Sequence, residues 1–139
     1  MSLAMIFLDA NIFLYAAGAA HSYRAPCLAV LRSVAAKKIT ATTSVEVVQE
    51  VVYVLDRRGQ RTKAVELGRE ILRLFPDVLP ITGAEAALAC EILERYPALS
   101  SRDSLHVATM LCNGLDEILS VDPDFDSVRE VRRILPCPV

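Results

Sequence analysis

The run FLDANIF, Phe7 to Phe13, decides how this chain is read, because a nearly uninterrupted apolar stretch carries an aspartate and an asparagine in its middle. Such a run reads as a buried strand, and a charge at its end costs free energy unless something pairs with it. Asp9 therefore needs a partner or a chemical task. The run EILSVD, Glu117 to Asp122, repeats the design, again closing an apolar strand on an aspartate. Ligands in open parallel sheets bind outside the carboxyl ends of the strands. Asp9 and Asp122 are expected to be neighbours in space.

Working outward, KITAT and VRRIL read as two further short strands, and DVLPIT as a short extended segment. HSYRAPCLAVLRSVAAKK is amphipathic, with Leu28, Leu31 and Val34 at helical spacing and Pro26 tolerable in the first turn. TSVEVVQEVVYVLDRRG is valine-rich but too long for one strand; it reads as a helix ending at Gly59, opened by a Thr43–Glu46 capping box. Thr62 to Leu74 forms another helix, stopped by Pro76. TGAEAALACEILERYP opens on a Thr82–Glu85 box, and SSRDSLHVATMLCNG on a cap at Ser100 or Ser101. Short strands alternating with helices, without a linker or repeat, predict one α/β domain over residues 1–139 with a parallel sheet.

The composition bounds the function. A chain of 139 residues, 53% hydrophobic and 23% charged, can bury one substantial core. Its formal charge of -2 makes no global demand for nucleic acid, so such binding must rest on a local patch. The candidate is DRRGQRTK, with Arg57, Arg58 and Arg61, which reads equally as a solvated turn between helices. Cys27, Cys90, Cys112 and Cys137 lack metal-finger spacing and are expected to be reduced and buried. The opening MSLAMIFL has no basic leader region, and no stretch is long enough to span a membrane. A cytoplasmic protein is expected.

Two more acids draw attention. Asp103 falls in the first turn of its helix, where the dipole favours a carboxylate, and Glu50 sits among Val47, Val48, Val51 and Val54. Each aspartate has a purely structural alternative: Asp9 as a helix cap, Asp103 in a box with Ser100, Asp122 as a turn opener before Pro123. Glu50 has neither a cap to make nor a basic partner at i−4 or i+4. Carboxylates gathered at one sheet edge repel unless a cation sits among them, and oxygen-only sites select Mg2+ or Mn2+. One or two such ions can drive phosphodiester hydrolysis.

FLDANIFLYA, TTSVEVVQEVVYVL, SSRDSLHVATML and ILSVDPDFDSV, in that order and spacing, resemble a PIN-domain protein, most closely the VapC-type toxins of toxin–antitoxin pairs, over almost the whole chain. The resemblance implies a three-layer α/β/α fold with a central parallel sheet and metal-dependent endoribonuclease activity. It places Asp9, Glu50, Asp103 and Asp122 as the catalytic and metal-binding acids, with Asn11 and Ser120 as polar supports; Ser120 stands where the family often has threonine. It also implies a small antitoxin partner, an RNA substrate and a homodimer, the last favoured too by the broad apolar faces of the Val/Leu-rich helices. Glu46 is the rival to Glu50, set aside because the resemblance places the family's glutamate just before the apolar VVYVL segment and because a capping box occupies Glu46. His106 is read as structural, and Asp124 and Asp126 as lying beyond the strand end, either supporting the site or simply solvated. The competing function is a PIN-like scaffold that binds a partner and has little activity. A small-molecule phosphohydrolase is disfavoured because Asn11 stands where a second acid is wanted, and no Gly-rich phosphate loop is present.

Overall fold

The computed structural model describes residues 5–136. Residues 1–4 and Cys137 lie outside the described residues. In chain order the elements are β1 (Ile6–Leu8), α1 (Ala10–Ala17), α2 (Arg24–Ala35), β2 (Ala41–Thr42), α3 (Val45–Arg57), α4 (Arg61–Leu74), α5 (Gly83–Arg95), α6 (Ser101–Cys112), β3 (Glu117–Leu119), a 3-10 turn (Pro123–Ser127) and β4 (Arg132–Ile134). The sheet runs β2-β1-β3-β4 with every pair parallel, and the helices flank it in an α/β/α arrangement.

The strands are short because each buries its apolar residues and then stops. Phe7 and Leu8 of β1 and Ile118 and Leu119 of β3 are buried and lie in register, Phe7 beside Ile118 and Leu8 beside Leu119. The Asp9 amide donates to the Leu119 carbonyl at 3.1 Å, which carries the pairing one residue further and brings the two strand ends together. Phe13, Val47, Val51, Ile92, Val107, Met110 and Phe125 complete one hydrophobic core around them. Helices α1 and α2, α3 and α4, and α5 and α6 pack pairwise. Gly59 separates α3 from α4 at φ 76°, a left-handed turn that glycine adopts without a Cβ clash.

Several local expectations need correction. The N-cap of α3 is Ser44, whose hydroxyl accepts from the Val47 amide at 3.1 Å, so the Thr43–Glu46 box does not form. Thr43 instead donates its hydroxyl to the Leu8 carbonyl at 2.8 Å, tying the start of α3 to the end of β1. DVLPIT is extended as expected, and its Leu79 forms a single parallel bridge with Ser44. Cys27 is buried as expected, but Cys90 and Cys112 are exposed free thiols. Among the described residues no helix is long and apolar enough to cross a membrane.

Candidate active site

The carboxyl ends of β1 and β3 are joined by a small polar network. Asp9 caps α1 through Oδ1, which accepts from the Ala10 amide at 2.8 Å. Its other oxygen accepts from the Ser120 hydroxyl at 2.6 Å and from the Asn11 amide nitrogen at 3.2 Å. Asn11 also reaches across the sheet edge, its Oδ1 accepting from the Val121 amide at 3.3 Å and its Nδ2 lying 3.1 Å from Ser120 Oγ. The Asp122 amide donates to the same hydroxyl at 3.0 Å. Asp9 is thus both a helix cap and a buried, oriented carboxylate, 4% exposed. Burial pushes its pKa up, aided by the Glu50 charge and opposed by His106 and the Ser120 hydrogen bond.

Glu50 reaches the same place from α3, and His106 from α6. His106 Nε2 is 2.7 Å from Glu50 Oε1 and 3.9 Å from Asp9 Oδ1. Burial works to lower the His106 pKa, but its hydrogen bond to Glu50 and the charges of Asp9, Glu50 and Asp103 outweigh that and leave it raised. Its Nδ1 is buried without a hydrogen-bond partner among the described residues.

Asp103 differs from the other acids. Its backbone amide donates to the Ser100 cap at 3.1 Å, yet its carboxylate accepts no hydrogen bond among the described residues. The carboxylate groups instead with those of Asp122 and Asp124, one oxygen of each lying within 4.8 Å of the others. Asp9, Glu50 and His106 form a second group, one ligand atom of each also lying within 4.8 Å of the others. Asp103 links the two electrostatically. Burial first, then the charges of Asp9, Asp122 and Glu50, against a lowering by His106, push its pKa up to about 7.

Residues 6–131 match the PIN domain. This chain belongs to the PIN-domain family. It is 33% identical over 133 residues to Ribonuclease VapC7 of Mycobacterium tuberculosis, covering 95% of this chain and 92% of that protein. Among solved structures it resembles VapC20 of M. tuberculosis, described as a sarcin-ricin loop cleaving toxin, with a TM-score of 0.74 at 25% identity over 91% of this chain and 98% of that one. It also superposes on VapBC2 from Rickettsia felis, TM-score 0.73 at 15% identity, covering 94% of this chain and 98% of that one, a likeness of fold alone.

Within this PIN domain the structure gathers Asp9, Glu50, Asp103 and Asp122 at one sheet edge, with Asn11 and Ser120 between them. Glu46 points elsewhere, accepting from Arg102 Nε at 3.1 Å. Asp126 forks onto Arg133 at 2.9 and 3.0 Å, and Arg133 in turn donates to the Ser120 carbonyl. Asp124 lies beyond the end of β3 yet groups with Asp103 and Asp122, because the 3-10 turn capped by Asp122 folds it back: its amide donates to Asp122 Oδ1 at 2.9 Å. His106, read from sequence as structural, lies against Glu50; its i+3 spacing from Asp103 put both on one face of α6 and was the available signal.

The three arginines differ in their partners. Arg61 forks onto Asp56 at 2.8 and 3.2 Å, and Arg57 lies over the Tyr53 ring at 5.8 Å. Arg58 has no acidic partner among the described residues and lines a cavity with Asn11.

Proposed function

We propose that this PIN-domain protein is a Mg2+- or Mn2+-dependent endoribonuclease, the toxin of a toxin–antitoxin pair. The observation that carries the reading is the Asp103 carboxylate: partly buried, without a hydrogen bond among the described residues, and facing the charges of Asp9, Glu50 and Asp122. No capping or turn role explains that arrangement, and a cation does. The donor set fits the metal. The carboxylates of Asp9, Glu50, Asp103, Asp122 and Asp124 offer only oxygens, which suits Mg2+ or Mn2+.

In this reading Asp9, Glu50, Asp103 and Asp122 hold the ion. A bound divalent ion polarises the phosphodiester and offsets the charge on the leaving oxygen. The chain supplies the positioning. Ser120 and Asn11 fix Asp9 Oδ2, so that the carboxylate is aimed before any ligand arrives. His106 holds Glu50 in place from behind by its hydrogen bond. The ribonuclease names of the relatives support an RNA substrate, and their VapC names support an antitoxin partner. Titrating Mn2+ while following the melting temperature tests the site: binding at a hundred times Kd contributes about 2.7 kcal/mol. A protein whose melting point ignores the metal and that cuts no RNA is the partner-binding scaffold instead.

RNA phosphates are to be held by cations near the site. Because Arg61 is committed to Asp56, Arg58→Ala is expected to weaken RNA binding and shallow its salt slope by about one unit, with Arg61→Ala changing less. Binding measured by anisotropy from low to high salt checks this; equal effects of the two variants would move the phosphate contact elsewhere. A homodimer is also proposed, on the exposed apolar side chains of Val45, Tyr53, Val65 and Leu72 along α3 and α4. Light scattering at micromolar concentration should give twice the chain mass, and a monomer there contradicts it. Free Cys27, Cys90 and Cys112 suit a reducing cytoplasm.

A further inference from the structure

Beside the acids, the end of α1 and the loop to α2 build a cavity of about 330 Å3, lined by Asn11, Leu14, Tyr15, Gly18, His21 and Arg58 among others. Its size is at the low end for small-molecule sites, enough for one planar ring system. It shares Asn11 with the network that orients Asp9, so it adjoins the proposed reaction centre.

The cavity is dressed with rings. Tyr15 and His21 stand 4.7 Å apart between ring centroids, Tyr15 and Tyr23 5.4 Å, and His21 stacks on Tyr23 at 5.8 Å with 22° between planes. His21 is exposed, yet its ring is not left to rotate: Nδ1 accepts the Tyr23 amide at 3.1 Å. An exposed aromatic face held by a backbone hydrogen bond is pre-organised for stacking at little entropic cost. Arg58 adds an uncompensated cation from the end of α3, among the described residues. Ring surface next to a cation is the chemistry that recognises an unstacked base and its phosphate.

We propose that this cavity takes one unpaired nucleobase of the RNA strand, from a nucleotide next to the cleaved bond. His21 and Tyr15 supply the stacking surface, and Arg58 the contact to the adjoining phosphate. The proposal rests on the ribonuclease reading and makes the preferred substrate single-stranded at that nucleotide, since a base inside a duplex cannot enter.

The test uses short single-stranded RNAs carrying 2-aminopurine at successive positions, bound to the full chain with Ca2+ in place of Mn2+. Stacking in the cavity should quench the fluorescence of one position far more than the others. His21→Ala should abolish that quench and weaken binding about five- to a hundredfold, the usual worth of one base–aromatic stack. His21→Phe, which restores a ring, should recover it, whereas a role confined to the Tyr23 hydrogen bond would not be rescued by phenylalanine. Uniform fluorescence at every position, or a quench that survives His21→Ala, overturns the proposal and leaves the cavity to a protein partner. Cleavage in Mn2+ is scored separately, so RNA that binds with a single quenched position but is never cut sinks the nuclease reading and supports the base site.

Discussion

Asp103→Asn is expected to lower metal-dependent RNA cleavage by roughly a hundred- to a thousandfold, the usual cost of removing one charge that stabilises the reaction, while making the metal-free protein more stable at pH 8. The two effects share a cause. In the absence of metal, Asp103 is a partly buried charge near Asp9, Asp122 and Glu50, and its pKa of about 7 reflects first the burial of that charge and then its repulsion by those neighbours. Each pKa unit corresponds to about 1.4 kcal/mol, and partial solvent exposure reduces the sum, so a gain on the order of 1–2 kcal/mol is expected. Against it stands the lost attraction between a carboxylate and the first turn of α6, about 0.3–1 kcal/mol. Relief of repulsion wins. Asp9→Asn should lose cleavage equally but gain no stability, because Asp9 Oδ2 accepts from Ser120 and Asn11 and an amide nitrogen there would face the Asn11 donor. Melting curves in EDTA for the two variants separate them; equal stability changes would mean that the repulsion is not centred on Asp103.

The second large effect is on pH. A carboxyl whose folded pKa lies above its unfolded value contributes stability that is complete below about pH 4 and is lost as pH rises through the folded value. For Asp103 that window runs from about 4 to about 7. Asp9 and His106 are also raised and act with the same sign. The metal-free protein should therefore lose stability from pH 5 to pH 8, and a bound cation, which favours the charged acids, should reverse the loss. The difference in melting temperature between Mn2+ and EDTA samples is expected to widen by several degrees across that range. Asp103→Asn should flatten the EDTA profile. Parallel profiles for parent and variant would contradict the assignment.

The sheet and its polar ends were legible because burial leaves a plain mark: the apolar runs that lead to Asp9 and Asp122 are the strands β1 and β3, whose carboxyl ends meet. Glu50 was legible as a residue without a structural task in an apolar stretch. Other details hide in local degeneracy. Thr42, Thr43 and Ser44 offer three successive hydroxyls, and which one caps α3 depends on where β2 releases the chain, a tertiary matter. Asp124 joins the acids only because a 3-10 turn reverses direction after Asp122. His106 reads as structural because an imidazole is a poor ligand for hard cations, whereas its position against Glu50 follows from how α3 and α6 meet. Arg61 reads as a free cation until the turn at Gly59 swings it onto Asp56.

The most direct test of the acidic site is cleavage of a mixed RNA pool by the purified protein, run in Mn2+ and in EDTA with parent and Asp9→Asn side by side. The parent is expected to cleave in Mn2+ alone, and the variant almost not at all in either condition. Cleavage by the parent that persists in EDTA, or an Asp9→Asn protein that cuts like the parent, would contradict it.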